Sequence, residues 1–283
     1  VLSHLNGNLG VGGNILTSYA NATADAGDTI GIAGSLNHFV VNNNTTAWVA
    51  GSASLTATCA TAACGSGTGW SVGMDNGDVH TYNASLQIAA TTTTASIDAA
   101  GNVGTLGFLF GNTSGGSSVG GALNLVQFNT NTIAGVSDRA TLRAADDIAV
   151  NAITSDQFVA VAPSSGKAAG TLALNGITSL GFLNNTTHAS ISSQATVYAP
   201  TVGILAQQDL SVVTLSGAMS YNGSGGSAVG LSVAYLGANT DTSAYIGDNH
   251  SDIRPGVFSA NDPFAGTSGG SGAVNVDNLT LSA

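Results

Sequence analysis

Positive charge is nearly absent from this chain. Its 283 residues include only four Lys and Arg, and 15 acidic residues give a formal net charge of −11. Every acidic residue is an aspartate, because the sequence contains no glutamate. Nucleic-acid binding depends on cations that neutralise phosphates. The four cations, Lys167, Arg139, Arg143 and Arg254, are too few and too scattered for this, so we expect no nucleic-acid partner.

Long hydrophobic runs and helical spacing are also missing. No stretch approaches the roughly 18 consecutive apolar residues of a membrane helix, so we expect no membrane insertion. Charged residues make up only 7% of the chain, whereas soluble domains average about 25%. Disorder is nevertheless disfavoured, because hydrophobic residues make up 43% of the chain and follow a regular pattern.

Cysteine occurs only twice, at Cys59 and Cys64. A disulfide between them would close a small loop and would indicate an oxidising compartment. The alternative is a pair of reduced thiols. A metal site is not expected here, since two cysteines lack further ligands and His80 is the nearest downstream histidine.

What the chain has instead is a repeated pattern, Thr-x-Ala-x-Ile/Val, whose last three copies are spaced 55 residues apart. The five copies are Thr45-Thr46-Ala47-Trp48-Val49, Thr93-Thr94-Ala95-Ser96-Ile97, Thr132-Ile133-Ala134-Gly135-Val136, Thr187-His188-Ala189-Ser190-Ile191 and Thr242-Ser243-Ala244-Tyr245-Ile246. Self-similarity at a fixed period indicates a stack of similar units rather than a fold built around one active site.

Within the repeat, the period is two. Three copies continue as Ala-x-Leu/Val-x-Ala, at residues 53–57, 140–144 and 195–199, where small or aliphatic residues alternate with others such as Thr141 and Arg143. Such alternation, punctuated by Gly, Asn, Ser and Asp, predicts short β-strands. Small inward residues favour a narrow core in which equivalent positions of stacked strands lie about 4.8 Å apart.

The sequence therefore predicts an all-β fold, an elongated parallel β-helix (β-solenoid). A repeat of about 55 residues is long for one coil, so we expect it to span two or more coils. We interpret residues 1–283 as a single segment of a longer array, interrupted by an inserted loop region at residues 58–90 that contains both cysteines. Because the sequence begins at Val1 without a signal peptide, we expect a processed or partial piece of a longer secreted polypeptide.

Several of these segments share an Asn/Thr-rich stretch followed by a small-residue strand. They are Asn43-Asn44-Thr45-Thr46-Ala47-Trp48-Val49, Asn184-Asn185-Thr186-Thr187-His188-Ala189-Ser190-Ile191 and Thr242-Ser243-Ala244-Tyr245-Ile246-Gly247-Asp248. They resemble the repeats of very large bacterial filamentous adhesins, which include leukotoxin-type and haemagglutinin-like proteins and autotransporter passengers. The resemblance covers about residues 30–283. It implies a right-handed parallel β-helix on a bacterial surface, with an Asn/Thr-rich turn leading into each Ala-x-Ile strand.

An enzyme has to be weighed, because some β-helices cleave polysaccharides. Glycoside hydrolysis requires two carboxylates at a defined separation. Asp146 and Asp147 are the only adjacent pair, and in a strand they would point to opposite faces. None of the five histidines has a partner at metal-ligand spacing, and His188 is expected to face solvent. We therefore predict no catalytic residue and no cofactor.

Calcium is the better hypothesis for an ion. Hard oxygen ligands suit Ca²⁺, and a group of them lies near one turn: Asp241, Asp248 and Asp252, with Asn239 and Asn249. The alternative is that these are solvated turn residues, since the glycine-rich nonapeptide of calcium-binding β-rolls is absent.

The best candidate for recognition is the region that interrupts the repeat. Trp70, Met74 and His80 lie there together with the cysteine loop. Loops that protrude from a rigid scaffold often carry binding residues. The alternative is an insertion without a binding role.

Two functions fit this reading. The first is a non-enzymatic adhesin shaft on a bacterial cell surface, flanked by further repeats of the same polypeptide. It would attach to host cells, neighbouring cells, matrix or glycans. The second is a structural polymer of an extracellular filament, sheath or biofilm matrix, in which copies pack laterally or end to end. An enzyme would need Asp side chains clustered in a long groove.

Overall fold

A computed structural model of the chain describes residues 16–21, 30–57, 70–73, 79–82, 85–101, 116–168, 170–222, 225–247, 273–275 and 278–283. Within these ranges the protein consists of fifteen β-strands and contains no helix. In chain order the strands are β1 (Leu16–Asn21), β2 (Ile30–Val49), β3 (Ser54–Ala57), β4 (Trp70–Gly73), β5 (Val79–Tyr82), β6 (Leu86–Gly101), β7 (Ser117–Val136), β8 (Thr141–Ala144), β9 (Asp147–Ala168), β10 (Leu172–Ile191), β11 (Thr196–Tyr198), β12 (Thr201–Asn222), β13 (Ser227–Ile246), β14 (Ala273–Asn275) and β15 (Asn278–Ser282). The all-β prediction is confirmed.

Three parallel sheets make up the stack. Sheet 1 contains the long strands β2, β7, β10 and β13, and sheet 2 contains the short strands β3, β8, β11 and β14. Sheet 3 contains β1, β6, β9, β12 and β15. The chain passes from sheet 1 through sheet 2 to sheet 3 and then starts the next coil, so the predicted parallel β-solenoid is confirmed. Among the strands that the structure describes, only β4 and β5 pair antiparallel.

Each repeat forms a single coil. Thr132 of β7 pairs with Thr187 of β10, which pairs with Thr242 of β13, so adjacent strands are one 55-residue repeat apart. The prediction that a repeat spans two or more coils is wrong. The reason is strand length: β7 has 20 residues and β12 has 22. Each coil contains two such long strands and one short strand, and these account for most of the 55 residues of a repeat.

The Asn/Thr-rich segments are not turns. Asn43 and Thr45 lie inside β2, and Asn185 and Thr187 lie inside β10. The strand runs on through these residues because each of them is paired in register with the neighbouring coil. The turn that the family resemblance implies at these positions is therefore wrong.

The predicted insertion is shorter than residues 58–90. Strand β6 begins at Leu86, which pairs with Ile148 of β9 and so belongs to the coil. The insertion accounts for most of the uneven spacing in the first coil, where Thr45 and Thr132 pair although they lie 87 residues apart rather than 55. Within it, β4 and β5 form a two-stranded hairpin.

The interior divides into two regions. At the three-sheet end, where sheet 2 joins sheets 1 and 3, large aliphatic residues such as Leu142, Ile148 and Ile191 are fully buried. Further along, in the two-sheet region, only sheets 1 and 3 face each other. Its interior holds an aromatic contact between Phe128 and Phe158, with ring centroids 5.4 Å apart, and otherwise many small or polar side chains.

Candidate functional site: a buried polar row

A row of threonine hydroxyls crosses the interior between the three-sheet end and the two-sheet region. Thr132 donates to Thr92 across the two long sheets (2.8 Å between the Oγ1 atoms), and Thr92 donates to Thr45 (2.8 Å). Thr154 lies 2.9 Å from Thr132 and 2.7 Å from Thr187, again between Oγ1 atoms. We call these five residues the hydroxyl chain. It links three successive coils by alternating between sheets 1 and 3.

The opening threonine of the repeat is therefore a core residue. In β7, Thr132, Ala134 and Val136 are all fully buried. The residues Thr187, Ala189 and Ile191 lie beside them in register, and so do Thr45, Ala47, Val49, Thr242, Ala244 and Ile246 in the outer coils. In the last coil the pattern changes slightly, because Thr242 donates to Gln208 Oε1 (3.0 Å). Stacked identical hydroxyls satisfy one another, so a polar residue is tolerated inside.

The Thr93 copy of the motif is not equivalent to the other four. It lies in β6 of sheet 3, where Thr93 pairs with Ser155 of β9. Thr93 and Ile97 lie on the face that points away from the interior, as does Ala95, although Ala95 is only 4% exposed, and the inward positions of this strand are held by Thr92 and Thr94. Treating this copy as part of the repeat is wrong. The same letters recur because alternating Thr and Ala suit either face of a narrow sheet.

A carboxylate lies next to the hydroxyl chain. Asp156 of β9 is 3% exposed and accepts a hydrogen bond from Asn185 Nδ2 at 2.8 Å. Burial raises the pKa of Asp156 above its ordinary value, while hydrogen bonds from Thr94, Thr130 and Asn185 partly offset that rise. Removing a carboxylate from water penalises its charged form, and hydrogen bonds to the charged form favour it.

A second buried carboxylate lies deeper in the two-sheet region. Asp98 of β6 is fully buried, and Ser96 Oγ donates to its Oδ2 atom at 3.0 Å. Burial raises the pKa of Asp98 to about 7, against the lowering effect of the Ser96 hydrogen bond. Nearby on sheet 1, Asn37 Nδ2 donates to Asn124 Oδ1 at 2.9 Å, and Ser18 donates to Asn37.

The two buried carboxylates do not form a pair. Asp156 is opposite Thr94 in β6, four residues along the strand from Asp98. At about 3.3 Å per residue, the two lie roughly 13 Å apart along the sheet. Glycosidases place their carboxyl groups about 5–9.5 Å apart. This arrangement can join neighbouring strands, as the hydrogen bond from Asn185 to Asp156 does between β10 and β9.

His188 is buried rather than exposed to solvent. The side chain is 1% exposed, so the expectation that it faces solvent is wrong. Its Nε2 atom lies 3.4 Å from Asp241 Oδ2, and its ring meets Tyr245 edge-on at 6.5 Å between centroids. Register places it next to Ile133, which is also buried. A buried imidazole is stabilised by a polar partner, and the Asp241 carboxylate supplies one.

Only two of the five residues proposed as calcium ligands, Asn239 and Asp241, lie within the described part of the chain. Asp241 lies against His188, and Asn239 is exposed on the outer face of sheet 1. Asp248, Asn249 and Asp252 lie outside the described residues. Among the residues that the structure does describe, no three metal-ligating side chains come together.

The predicted recognition residues lie in or beside the inserted hairpin. Trp70 begins β4 and pairs with Tyr82, while His80 of β5 pairs with Val72. Met74, Cys59 and Cys64 lie outside the described residues. β4 and β5 follow each other in the chain and pair antiparallel, which makes them a β-hairpin.

An asparagine ladder that was not predicted from the sequence lies on the outer face of sheet 1. Asn129 Nδ2 donates to Asn42 Oδ1 (2.8 Å), and Asn184 Nδ2 donates to Asn129 Oδ1 (2.9 Å). Asn239 continues the row in register. The signal was available, since the last three of these residues are 55 apart. The burial of Asp98 and Asp156 was not predicted either, although each lies an even number of residues from other inward-facing residues of its strand.

Comparisons with known proteins give no relative. No family model matches this sequence, and neither a curated protein nor a solved structure matches it. No helix that could cross a lipid bilayer occurs in the part of the chain that the structure describes.

Proposed function

We propose that this chain is a non-enzymatic shaft segment of a filamentous adhesin on a bacterial cell surface, mediating attachment to cells or matrix. The observation that carries the proposal is the register of the coils. Thr132, Thr187 and Thr242 stack one above the other, and Asn42, Asn129 and Asn184 do the same on the outer face. A stack that repeats its own contacts can extend by adding coils, which suits a protein that acts through reach.

The interior supports a mechanical role rather than a chemical one. The buried hydroxyls of the hydroxyl chain bond to one another, and the two buried carboxylates are too far apart to share a substrate bond. Ladders of this kind hold each coil to the next through side chains as well as through the backbone.

The inserted hairpin is the proposed attachment element. It leaves the coil after β3, at Ala57, and the chain rejoins the coil at Leu86. A loop on a rigid scaffold can vary without disturbing the core, which is why such loops often bind partners. Trp70 and His80 lie within this hairpin.

A loop replacement tests this proposal. In the second coil, Ala145, Asp146 and Asp147 connect β8 to Ile148, the partner of Leu86. We would therefore replace residues 58–85 by Ala-Asp-Asp. Beads coated with the chain or the variant would be tested for attachment to animal cells, bacterial cells, matrix proteins and glycan arrays.

We expect the parent chain to attach and the variant to lose attachment while keeping its circular dichroism spectrum and melting temperature. Equal attachment by both proteins would contradict the role of the hairpin. Absence of attachment by the parent chain to every surface would contradict the adhesin proposal.

The second candidate is a structural polymer of an extracellular filament or matrix. It is favoured by the apolar outer face of sheet 1, where Ile32, Leu36 and Leu231 are 74%, 64% and 66% exposed. Large apolar side chains on a sheet surface usually mark a contact with another molecule.

A further inference from the structure

In the two-sheet region, sheet 1 buries several polar residues on its inner face and exposes many large apolar residues on its outer face. Asn37, Asn124 and Ser179 lie side by side on the inner face and are at most 5% exposed. One position earlier on each strand, Leu36 and Leu123 lie on the outer face, 64% and 36% exposed. The apolar side chains on this outer face are thus not part of the interior of the coil.

The apolar surface comprises five rows that cross the four strands of sheet 1. Row by row, they are Ile32, Val119, Leu174 and Val229; Gly34, Gly121, Gly176 and Leu231; Leu36, Leu123, Thr178 and Val233; His38, Leu125, Leu180 and Tyr235; and Val40, Gln127, Phe182 and Gly237. We call these residues the apolar face. None of them is Asp, Lys or Arg, and His38 is the single basic side chain among them, so the face is mainly apolar.

The second row is a groove. Gly34, Gly121 and Gly176 lie next to one another on β2, β7 and β10. A Cβ atom added at Gly176 would meet nothing within 4 Å, and at Gly34 and Gly121 it would meet only a backbone oxygen, at 3.9 and 3.7 Å. The groove is flanked on both sides by branched aliphatic rows, and it ends at Leu231 of β13.

The groove and its neighbouring ridge are complementary to each other. A two-fold axis parallel to the rows, placed midway between them, lays Leu36 and Leu123 of one copy over Gly34 and Gly121 of the other. The same rotation places the Ile32 row of one copy opposite the row that contains Leu125 and Leu180 in the other copy. A two-fold interface uses one surface patch twice, so a patch with an adjacent ridge and groove can pair with itself.

The size of the apolar face fits a dimer. With strands about 4.8 Å apart and a rise of about 3.3 Å per residue, the four rows that this axis superposes measure roughly 20 by 26 Å, or about 500 Å². Two copies would bury about 1,000 Å² in these rows, the area that a specific interface has to reach. The asparagine ladder of Asn42, Asn129 and Asn184 borders the face on one side and limits the contact.

We propose that the apolar face binds the same face of a second copy of this chain, with the Leu36–Leu123 ridge seated in the partner's glycine groove. This interface goes beyond the proposed function, because it depends on one face of sheet 1 and not on the inserted hairpin. Sheets that pack face to face lie about 10 Å apart with interdigitating side chains, as this contact requires.

Sedimentation velocity on the full 283-residue chain tests the proposal. We expect a concentration-dependent dimer. The double variant Leu36→Lys/Leu123→Lys should weaken dimerisation by roughly tenfold or more, because it places charges in the centre of the interface. Gly176→Leu should weaken it as well, by filling the groove at a position with open space in the monomer.

The matched control is Leu215→Lys on the outer face of sheet 3. Leu215 is 61% exposed, close to the value for Leu36, but lies on the opposite side of the molecule. It should leave the dimer intact. A parent chain that stays monomeric would overturn the proposal, and so would a dimer that Leu215→Lys disrupts as strongly as the sheet 1 variants. A monomer that binds neutral phosphatidylcholine vesicles through Leu36 would assign the face to lipid and would overturn it too.

Discussion

The three-sheet end has an aliphatic core, whereas the two-sheet region buries carboxylates and amides beside its apolar side chains, although every coil contributes strands to both. At the three-sheet end, Ile148 and Ile191 point into a closed aliphatic core. In the two-sheet region, Asp98 and Asn124 are fully buried while Leu36 is 64% exposed. Aliphatic side chains fill the interior where three sheets surround it, whereas between sheets 1 and 3 the interior mixes large apolar side chains such as Phe128 and Phe158 with small and hydrogen-bonded polar groups. We therefore expect the three-sheet end to contribute most to stability, whereas the two-sheet region leaves apolar surface exposed to solvent.

The hydroxyl chain marks the border between the two regions. On one side of it lie the aliphatic residues of the three-sheet end, and on the other lie Asp156 and the phenylalanines of the two-sheet region. Each hydroxyl of the chain both belongs to a coil and contacts the next, so the border also helps to fix the register between coils.

The largest effect is expected at the three-sheet end. Ile191→Ala removes a fully buried side chain and should lower the free energy of unfolding by about 2–5 kcal/mol. The matched change Leu36→Ala, in the exposed row of the two-sheet region, should cost less than about 1 kcal/mol. Urea unfolding followed by circular dichroism, at a concentration where the chain is monomeric, measures both. Equal losses would contradict the division of the molecule into two regions.

The next effect concerns Asp98 and pH. Its pKa is raised from 3.8 to about 7 in the folded state, so the folded protein binds this proton more tightly than the unfolded chain. Stability should therefore fall as pH rises from about 4 to 7, and remain at the lower level above that. Asp156, whose pKa is also raised, contributes with the same sign.

Asp98→Asn should make the protein more stable at pH 8 by roughly 1–3 kcal/mol and flatten the pH dependence, because an amide cannot ionise. Urea midpoints at pH 5 and pH 8 give the comparison. Asp209→Asn, at an exposed position of β12, serves as the control and should change neither. An unchanged pH dependence in the Asp98 variant would show that this carboxyl does not titrate in the folded protein.

The smallest effect compares the inner ladder with the outer one. Thr132→Val keeps the shape of the side chain but removes the hydroxyl that contacts Thr92 and Thr154. Since those groups are buried, we expect a loss of about 1–3 kcal/mol. Asn129→Ala breaks the outer ladder in contact with water and should cost about 0.5–1 kcal/mol. Hydrogen exchange of β7 amides would detect both changes, and a larger cost at Asn129 would reverse the expected order.

Much of the architecture could be predicted from residues alone. The 55-residue spacing of Thr132, Thr187 and Thr242 predicts stacked coils, and the structure pairs these residues. Alternation in residues 140–144 predicts a strand, and it forms β8 of sheet 2. The candidate polar site was harder to predict from the sequence, because the contact between Thr132 and Thr92 depends on how sheet 3 faces sheet 1.

The errors share a physical cause. A period of two shows that the side chains alternate between faces but not which face is inside when both carry apolar residues. Thr93 and Thr132 therefore share a motif and lie on opposite faces. His188 is buried through Asp241 and Tyr245, which lie more than 50 residues away in sequence.

By itself, the sequence determined that the chain forms short-period strands and that they stack with a 55-residue repeat, because parallel stacking in register places like residues on like residues. Only the tertiary structure decided how long each strand is, that one repeat makes one coil, and which face is buried. Those properties depend on contacts between sheets 1 and 3, and no local pattern contains them. Asp98 inside and Leu36 outside follow from that packing rather than from the preference of either residue.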